Sequence, residues 1–194
     1  MMDLRFSESE LAARREHIVS FVEGQVEVSG TDGAVLGLSG GVDSSLVAHL
    51  AVEALGEDGL HGLVLPATVS SEANMSDAEA VAESLGISYD VIEIEPFVEE
   101  FLSVYPEAEG DQLAVGNARA RTRAVLNYLV ANHEDALVLG TGNRTEAAVG
   151  YFTKYGDGAV DCHPIGNLYK QQVRQLAKHV GVAEDLAEKK PTAG

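Results

Sequence analysis

Short apolar runs alternate with longer amphipathic segments along this chain of 194 residues. The runs are rich in Val, Leu and Ile and are bounded by glycine or polar residues, as is typical of buried strands. We predict strands at 34–38, 60–65, 88–94 and 136–140. The segments between and after them predict helices at 44–55, 74–85, 112–132 and 169–180.

The first segment of the chain predicts another helix. Ser7 and Glu10 have the spacing of a capping box, in which each side chain accepts a hydrogen bond from the other residue's backbone N–H. Leu11 and Ile18 then fall near one helical face. We expect this helix to end near Gly24.

Strands that alternate with helices predict an α/β domain whose parallel sheet is covered by helices on both faces. Right-handed crossovers make such a sheet doubly wound and Rossmann-like. Ligands bind beyond the carboxyl ends of its strands. No internal repeat, low-complexity segment or linker divides the sequence, so we expect a single domain over residues 1–194.

The chain is strongly acidic, with 31 Asp and Glu against 13 Lys and Arg and a formal net charge of −18. Binding to nucleic acid needs a basic face, so nucleic acid is not an expected partner. Because 45% of the residues are hydrophobic, the acidity does not indicate disorder. We hypothesise a salt-rich cytoplasm, in which ions screen the self-repulsion. A stability that does not change with added KCl would contradict this hypothesis.

Cysteine content and hydropathy bear on the compartment. Cys162 is the only cysteine, so no intramolecular disulfide is possible, which fits a reducing environment. The N-terminal segment lacks the apolar core of a signal peptide. No stretch approaches the ~20 apolar residues of a membrane span, so we expect a cytoplasmic protein without a membrane partner.

His163 follows Cys162, but no CxxC or second histidine at ligand spacing accompanies them, so we expect packing rather than zinc binding.

The most informative segment is SGGVDS at 39–44, between a predicted strand and a predicted helix. Its glycines allow backbone N–H groups to converge, and the helix N-terminus adds free donors and a positive dipole. This arrangement can bind phosphate, although it matches neither GxxxxGK[ST] nor GxGxxG. A tight turn with Asp43 and Ser44 as helix-start residues is the alternative. A carboxylate beside bound phosphate needs a cation between them, which indicates Mg²⁺.

SGGVDS resembles the pyrophosphatase loop of the ATP pyrophosphatase superfamily, whose members cleave ATP to AMP and pyrophosphate. Further segments resemble one branch, the ammonia-dependent NAD synthetases: GNARARTR at 116–123, LGTGNRTE at 139–146, the glycine- and tyrosine-rich stretch 150–177 and KKPTAG at 189–194. The resemblance implies a ligase that forms a C–N bond and uses ATP as co-substrate. In that family the nicotinate carboxylate of deamido-NAD is adenylated, pyrophosphate leaves, and ammonia displaces AMP to give NAD.

The resemblance also implies roles for residues that bind ATP and metal. Glu146 resembles a second carboxylate ligand of Mg²⁺ beside Asp43, whereas in isolation it would be an exposed helix-start acid. Lys170 resembles a lysine that contacts the ATP phosphates and neutralises charge at the α-phosphate. The implied ATP and pyrophosphate site comprises Ser39, Gly40, Gly41, Val42, Asp43, Ser44, Thr141, Lys170 and Thr192.

A second set of residues is implied for the acyl substrate. Asp157 and Asp161 resemble acids near the nicotinate, where an acid can hold ammonium and take its proton. They join Lys170 as the catalytic candidates. The implied deamido-NAD site comprises Arg123, Lys154, Asp161 and Lys189.

The arginines of the 116–123 segment have a second interpretation. Arg119 and Arg123 share one face of the predicted helix, and Arg123 resembles an arginine that binds the dinucleotide phosphates. Salt bridges to nearby acids are the alternative. For Arg121 we prefer the salt bridge.

The sequence departs from the family pattern after PTAG, where relatives continue with an acidic segment and a further helix. We therefore expect that a C-terminal segment is missing.

No residues remain for a glutaminase domain, so free ammonia is the expected nitrogen donor unless another chain supplies it. Relatives are homodimers, and the first helix and the 112–132 helix are the expected contacts.

Two other functions stay open. One is a superfamily enzyme that adenylates a different acceptor, such as a tRNA base or a GMP precursor. The acidic composition disfavours tRNA, and the 150–158 match disfavours both acceptors. The other is a regulatory module that binds ATP without turnover, which the joint presence of Asp43, Glu146, Lys170 and Thr192 disfavours.

Overall fold

A computed structural model describes residues 4–189 and contains a four-stranded parallel sheet in the order β3-β2-β1-β4. The strands are β1 Gly33–Gly37, β2 Leu60–Val64, β3 Ser88–Val91 and β4 Ala136–Leu139. The α-helices are α1 Glu8–Ser29, α2 Val42–Leu55, α3 Glu72–Leu85, α4 Glu95–Val104, α5 Gln112–Glu134, α6 Arg144–Val149, α7 Lys170–His179 and α8 Glu184–Glu188. Short 3-10 turns lie at Glu57–Gly59 and Pro106–Ala108.

The central strand β1 is buried on both faces. Its successive side chains point to opposite sides of the sheet and therefore enter two different cores. Leu36 belongs to a core that α1, α2 and α7 cover. Val35 belongs to a second core, to which α5 contributes Leu126. The prediction of a doubly wound α/β fold is therefore confirmed, and the strand order changes direction between β1 and β4.

The start of α1 was predicted correctly, but its end was not. Ser7 and Glu10 form the capping box, with the Ser7 N–H 2.8 Å from the Glu10 carboxylate. Gly24 does not end the helix, which continues to Ser29 and closes at Gly30 with φ 73°. A glycine inside a helix costs only about 1 kcal/mol, so Gly24 alone does not stop a helix whose neighbours pack against the core.

Three helices were not predicted from the sequence pattern. The third strand was expected to reach residue 94 but ends at Val91, and buried Ile94 leads into α4, which begins at Glu95. α6 and α8 have six and five residues, too few to show a helical period. None of the described helices is long and apolar enough to cross a lipid bilayer.

Candidate active site

The loop after β1 has the backbone geometry of a phosphate-binding turn. Gly40 has φ 67°, and a Cβ there would lie 2.1 Å from the carbonyl oxygen of Asn74 in α3. Gly41 caps α2 without any side-chain hydrogen bond to the first turn. The first N–H groups of α2 therefore stay available to an anion. Val42 can contribute only its backbone to the site, because its side chain is buried in the core.

Two serines of the loop are linked to each other. The hydroxyls of Ser39 and Ser44 lie 3.1 Å apart, and the Ser44 hydroxyl donates to the Gly41 carbonyl at 3.1 Å. The backbone N–H of Ser39 also donates to Ser44 Oγ at 3.3 Å. These bonds fix the loop before any phosphate arrives.

A cavity of about 470 Å³ opens beside this loop, at the carboxyl ends of β1, β2 and β4. Its walls include Ser39 from the loop, Thr141 after β4, and Arg123 and Asn127 from α5. Asp157 closes one side. The cavity thus lies where the doubly wound fold predicts a ligand.

Asp43, on the first turn of α2, is the centre of a polar network next to the loop. Its Oδ2 forms an ion pair with Lys170 Nζ at the start of α7, and its Oδ1 accepts a hydrogen bond from Asn143 Nδ2 at 2.9 Å. Lys170 is held in turn by its backbone N–H, which donates to Thr145 Oγ1 at 3.0 Å. The network joins residues from three distant parts of the sequence.

Glu146 lies on the same side of the site, in the first turn of α6. Burial raises its pKa, and the negative charge of Asp43 raises the pKa further. The Asn143 N–H opposes this effect by donating to Glu146 Oε2 at 3.1 Å. Two carboxylates that repel each other beside a phosphate loop suit a divalent cation, and oxygen donors of this type suit Mg²⁺.

Lys189 contacts the phosphate loop from the end of the described chain. Its Nζ donates to the Gly40 carbonyl at 3.0 Å and forms an ion pair with Asp77 of α3. The guanidinium of Arg174 donates to the Lys189 carbonyl at 3.3 Å. Lys189 therefore belongs to the phosphate side of the site. Thr192, the last implied ATP ligand, lies outside the described residues.

The arginines of α5 differ from one another. Arg123 donates its Nε–H to the Leu65 carbonyl at 2.9 Å, and its burial lowers the pKa of the guanidinium. Arg119 instead forms an ion pair with Glu95 at 2.6 Å, as the salt-bridge alternative predicted. The salt bridge that we preferred for Arg121 is absent among residues 4–189. Arg121 Nε instead donates to the Lys154 carbonyl at 3.3 Å.

The glycine-rich stretch after α6 forms turns rather than a helix or strand. Asp157 lines the cavity and accepts a hydrogen bond from the Thr153 N–H at 2.8 Å. Lys154 lies over the ring of Tyr155, with Nζ 4.8 Å from the centroid.

Asp161 has a different environment from Asp157. Its Oδ2 accepts the Val138 N–H at 2.8 Å, and its Oδ1 accepts the Tyr128 hydroxyl at 3.0 Å. Burial, helped by Asp161, raises the pKa of Tyr128 to about 12. Both carboxylate oxygens are thus used to hold this segment against β4 and α5.

Cys162 and His163 pack behind β4. Burial raises the pKa of the Cys162 thiol to about 11, and its carbonyl accepts the Gly140 N–H at 2.8 Å. The His163 ring fills the space beside Gly140. Within residues 4–189, no group of three or more His, Cys, Asp and Glu residues is arranged to hold a metal.

The structure brings most of the implied ATP residues together around the loop and separates Asp161 and Lys154 from them. Sequence reasoning missed Asn143, which is 1% exposed and contacts both Asp43 and Glu146. One signal was present, because Asn143 and Glu146 have capping-box spacing after a strand. Asn127 and Asp77 were also missed, and no motif marks them.

Comparisons with known proteins agree with the geometry. The NAD synthase family model matches residues 14–194. The NH(3)-dependent NAD(+) synthetase of Halobacterium salinarum is 66% identical over 192 residues, which span 99% of this chain and 72% of that protein.

Two solved structures have the same fold. The NMN synthetase of Francisella tularensis aligns with a TM-score of 0.89 and 36% identity, over 97% of this chain and 77% of that one. The NH3-dependent NAD synthetase of Campylobacter jejuni aligns with a TM-score of 0.87 and 35% identity, over 94% and 77% of the two chains. The chain described here belongs to the NAD synthase family.

Proposed function

We propose that this chain catalyses the ATP-dependent amidation of deamido-NAD by ammonia, giving NAD, AMP and pyrophosphate. The observation that carries the proposal is the convergence of Asp43, Glu146 and Lys170 beside the glycine loop that follows β1. A relative at 66% identity with the name NH(3)-dependent NAD(+) synthetase supports the choice of substrates.

The glycine loop and the start of α2 bind the β- and γ-phosphates, which leave as pyrophosphate. Backbone N–H groups from Gly40 to Ser44 donate to the phosphate oxygens, and the helix dipole favours their negative charge. Lys170, which contacts Asp43, and Lys189, which contacts the Gly40 carbonyl, add positive charge at the loop. This charge stabilises the negative charge that develops as the bond between the α- and β-phosphates breaks.

Asp43 and Glu146 would hold Mg²⁺. When bound, the ion would shield the phosphate charges from these carboxylates and polarise the phosphoryl oxygens. Lys170 contacts Asp43, so the carboxylate and the ammonium lie where both can contact the same phosphates.

The adenosine part of ATP occupies the cavity, and the acyl substrate approaches from the side of Asp157 and Arg123. The nicotinate carboxylate attacks the α-phosphate, and ammonia then attacks the adenylated carbonyl. Asp157 suits the role of proton acceptor better than Asp161. Asp157 lines the cavity, whereas both carboxylate oxygens of Asp161 already accept hydrogen bonds from Val138 and Tyr128. Lys154 and Thr192 retain the roles that the family resemblance implies.

The remaining features of the proposal concern the whole molecule. We propose a single catalytic domain that acts in a salt-rich cytoplasm, with the net charge of −18 screened by KCl. Exposed Leu113, Val125 and Leu129 on α5 support a homodimer that covers this helix. Urea unfolding at two KCl concentrations and sedimentation analysis test these features. Unchanged stability would reject the salt requirement, and a monomer would reject the dimer.

The reaction is tested by chromatography of the nucleotides after incubation with ATP, Mg²⁺, deamido-NAD and ammonium at high KCl. Equal amounts of NAD and AMP are expected. ADP instead of AMP, or AMP without an amidated product, would reject the proposal. The variant Asp43→Asn is the control for a contaminating activity.

A second candidate substrate is the mononucleotide. The Francisella tularensis relative is named an NMN synthetase and aligns at a TM-score of 0.89, so nicotinate mononucleotide is a reasonable alternative acceptor. Competition between the two acids in one reaction distinguishes them. We expect a higher kcat/KM for the dinucleotide, and preference for the mononucleotide would reverse the assignment.

A further inference from the structure

Asn143 occupies a buried position between the carboxyl end of β4 and the first turn of α6. Its side chain is 1% exposed, and its Oδ1 accepts hydrogen bonds from the N–H groups of Thr145 at 2.9 Å and Glu146 at 3.1 Å. These bonds satisfy two donors that a helix otherwise leaves unpaired at its N-terminus. Any good capping residue could do this much.

The other end of the same amide points to a different element. Asn143 Nδ2 donates to Asp43 Oδ1 at 2.9 Å, across 100 positions of sequence. The backbone N–H of Asn143 donates to Glu146 Oε2 at 3.1 Å. One residue therefore contacts both carboxylates that suit a divalent cation, Asp43 through its side-chain amide and Glu146 through its backbone N–H. A side chain that caps α6 and also donates to Asp43 needs an acceptor and a donor at this reach.

The contact matters because it restrains the Asp43 carboxylate from the side opposite Lys170 Nζ, at its other oxygen. Lys170 holds Oδ2, and Asn143 holds Oδ1, so the carboxylate plane is fixed from both sides. Without the amide, Asp43 can turn about its last torsion, which is broad and weakly restrained. Glu146 would keep its place in α6, and the two carboxylates would lose their fixed relation.

We propose that Asn143 is a positioning residue that sets the relative orientation of Asp43 and Glu146 and thereby the affinity of the ATP site for its divalent cation. Asn143 does not touch the substrate in this role. The inference rests on the proposed function in one respect, because it takes Asp43 and Glu146 as the metal ligands.

The test replaces Asn143 with serine, which retains a capping oxygen but is too short to donate to Asp43. ATP affinity is measured by calorimetry at increasing free Mg²⁺, without an acyl acceptor, so no turnover is needed. For Asn143→Ser we expect the Mg²⁺ concentration of half-maximal effect to rise about ten-fold, as is usual when a residue that orients a metal ligand is lost. ATP affinity in EDTA should change by less than about two-fold, since the loop itself is unaltered.

The matched control is Asp111→Ser, which makes the same kind of cap exchange at α5. Asp111 Oδ1 accepts the Leu113 and Ala114 N–H groups at 3.0 Å each and lies outside the loop network. This variant should keep the Mg²⁺ response of the parent chain. If Asn143→Ser does not fold, Asn143→Thr, another capping residue without the reach, takes its place.

Two results would overturn the inference. One is a serine or threonine variant whose Mg²⁺ response equals that of the Asp111→Ser control. The other is an equal loss of ATP affinity with and without Mg²⁺, which would show a merely structural role. Asp43→Asn separates this failure from a failure of the proposed function: if it also leaves the Mg²⁺ response unchanged, the ligand assignment itself is wrong.

Discussion

Lys170 forms an ion pair with Asp43, which precedes it by 127 positions. The pair joins the first turns of α7 and α2, so two helix N-termini meet at the glycine loop. Both side chains are mostly buried, at 22% and 16% exposure, which strengthens their interaction relative to a surface pair. In the proposed reaction, this lysine would contact phosphate and this carboxylate would hold the metal.

Lys170→Ala removes the ammonium that is proposed to neutralise charge at the α-phosphate. We expect kcat to fall by about 100-fold or more, as for other groups that stabilise charge in a transition state. Steady-state kinetics of AMP formation measure this effect. Lys178→Ala, on the same helix, is the control, because Lys178 forms an ion pair with exposed Glu188 at the surface, away from Asp43. Equal activity of the two variants would argue against the role of Lys170.

Gly40→Ala tests the tight fit between the loop and α3. Gly40 and Gly30 both have positive φ, at 67° and 73°, so alanine costs about 1–2 kcal/mol at either position. At Gly40 the new Cβ would also meet the Asn74 carbonyl oxygen, whereas Gly30 has open space around it. Urea unfolding should therefore show a loss of about 3 kcal/mol or more for Gly40→Ala and a smaller loss for Gly30→Ala. Equal losses would show that the close approach to α3 is unimportant.

The part of the fold that the sequence predicts is the part that local patterns encode. β1, β2 and β4 are apolar runs next to glycine, so they appear near their expected positions. The loop at 39–44 is also local, and its glycines identify it. Asn143, in contrast, depends on a contact with Asp43 across 100 positions, which no period or spacing reveals. α6 is too short to be detected on its own.

Asn127 has a buried Oδ1 without a hydrogen-bond partner among the described residues. An unsatisfied buried acceptor costs about 1–3 kcal/mol, so Asn127→Leu should leave the free energy of unfolding unchanged or raise it by about 1 kcal/mol. Asn117→Leu on the same helix is the control, because Asn117 accepts the Thr153 hydroxyl at 2.9 Å. Urea unfolding without nucleotide should show destabilisation at Asn117 alone. Destabilisation of equal size at Asn127 would mean that its amide is satisfied in solution.

Glu95 gives the fold a defined pH dependence. The guanidinium of Arg119 lowers the pKa of the Glu95 carboxyl, helped by the Thr68 N–H, so ionised Glu95 is favoured in the folded state. The contribution of ionised Glu95 to the stability of the fold is therefore fully present above the pKa of about 4.3 that Glu has in the unfolded chain. This contribution is lost as pH falls through the lower pKa of Glu95 in the folded state. Glu95→Gln should cost about 1–2 kcal/mol at neutral pH and progressively less in acid. A difference from the parent chain that stays constant below pH ~4.3 would contradict this account.

In the proposed reaction, the carboxylate of the acyl substrate becomes attached to the α-phosphate of ATP. Deamido-NAD labelled with a heavy oxygen isotope in its nicotinate carboxylate tests this attachment, with mass spectrometry of the products. We expect one labelled oxygen in AMP, because ammonia displaces the adenylate and leaves a carboxylate oxygen on phosphorus. Label in inorganic phosphate together with ADP, or NAD formed with unlabelled AMP, would contradict it.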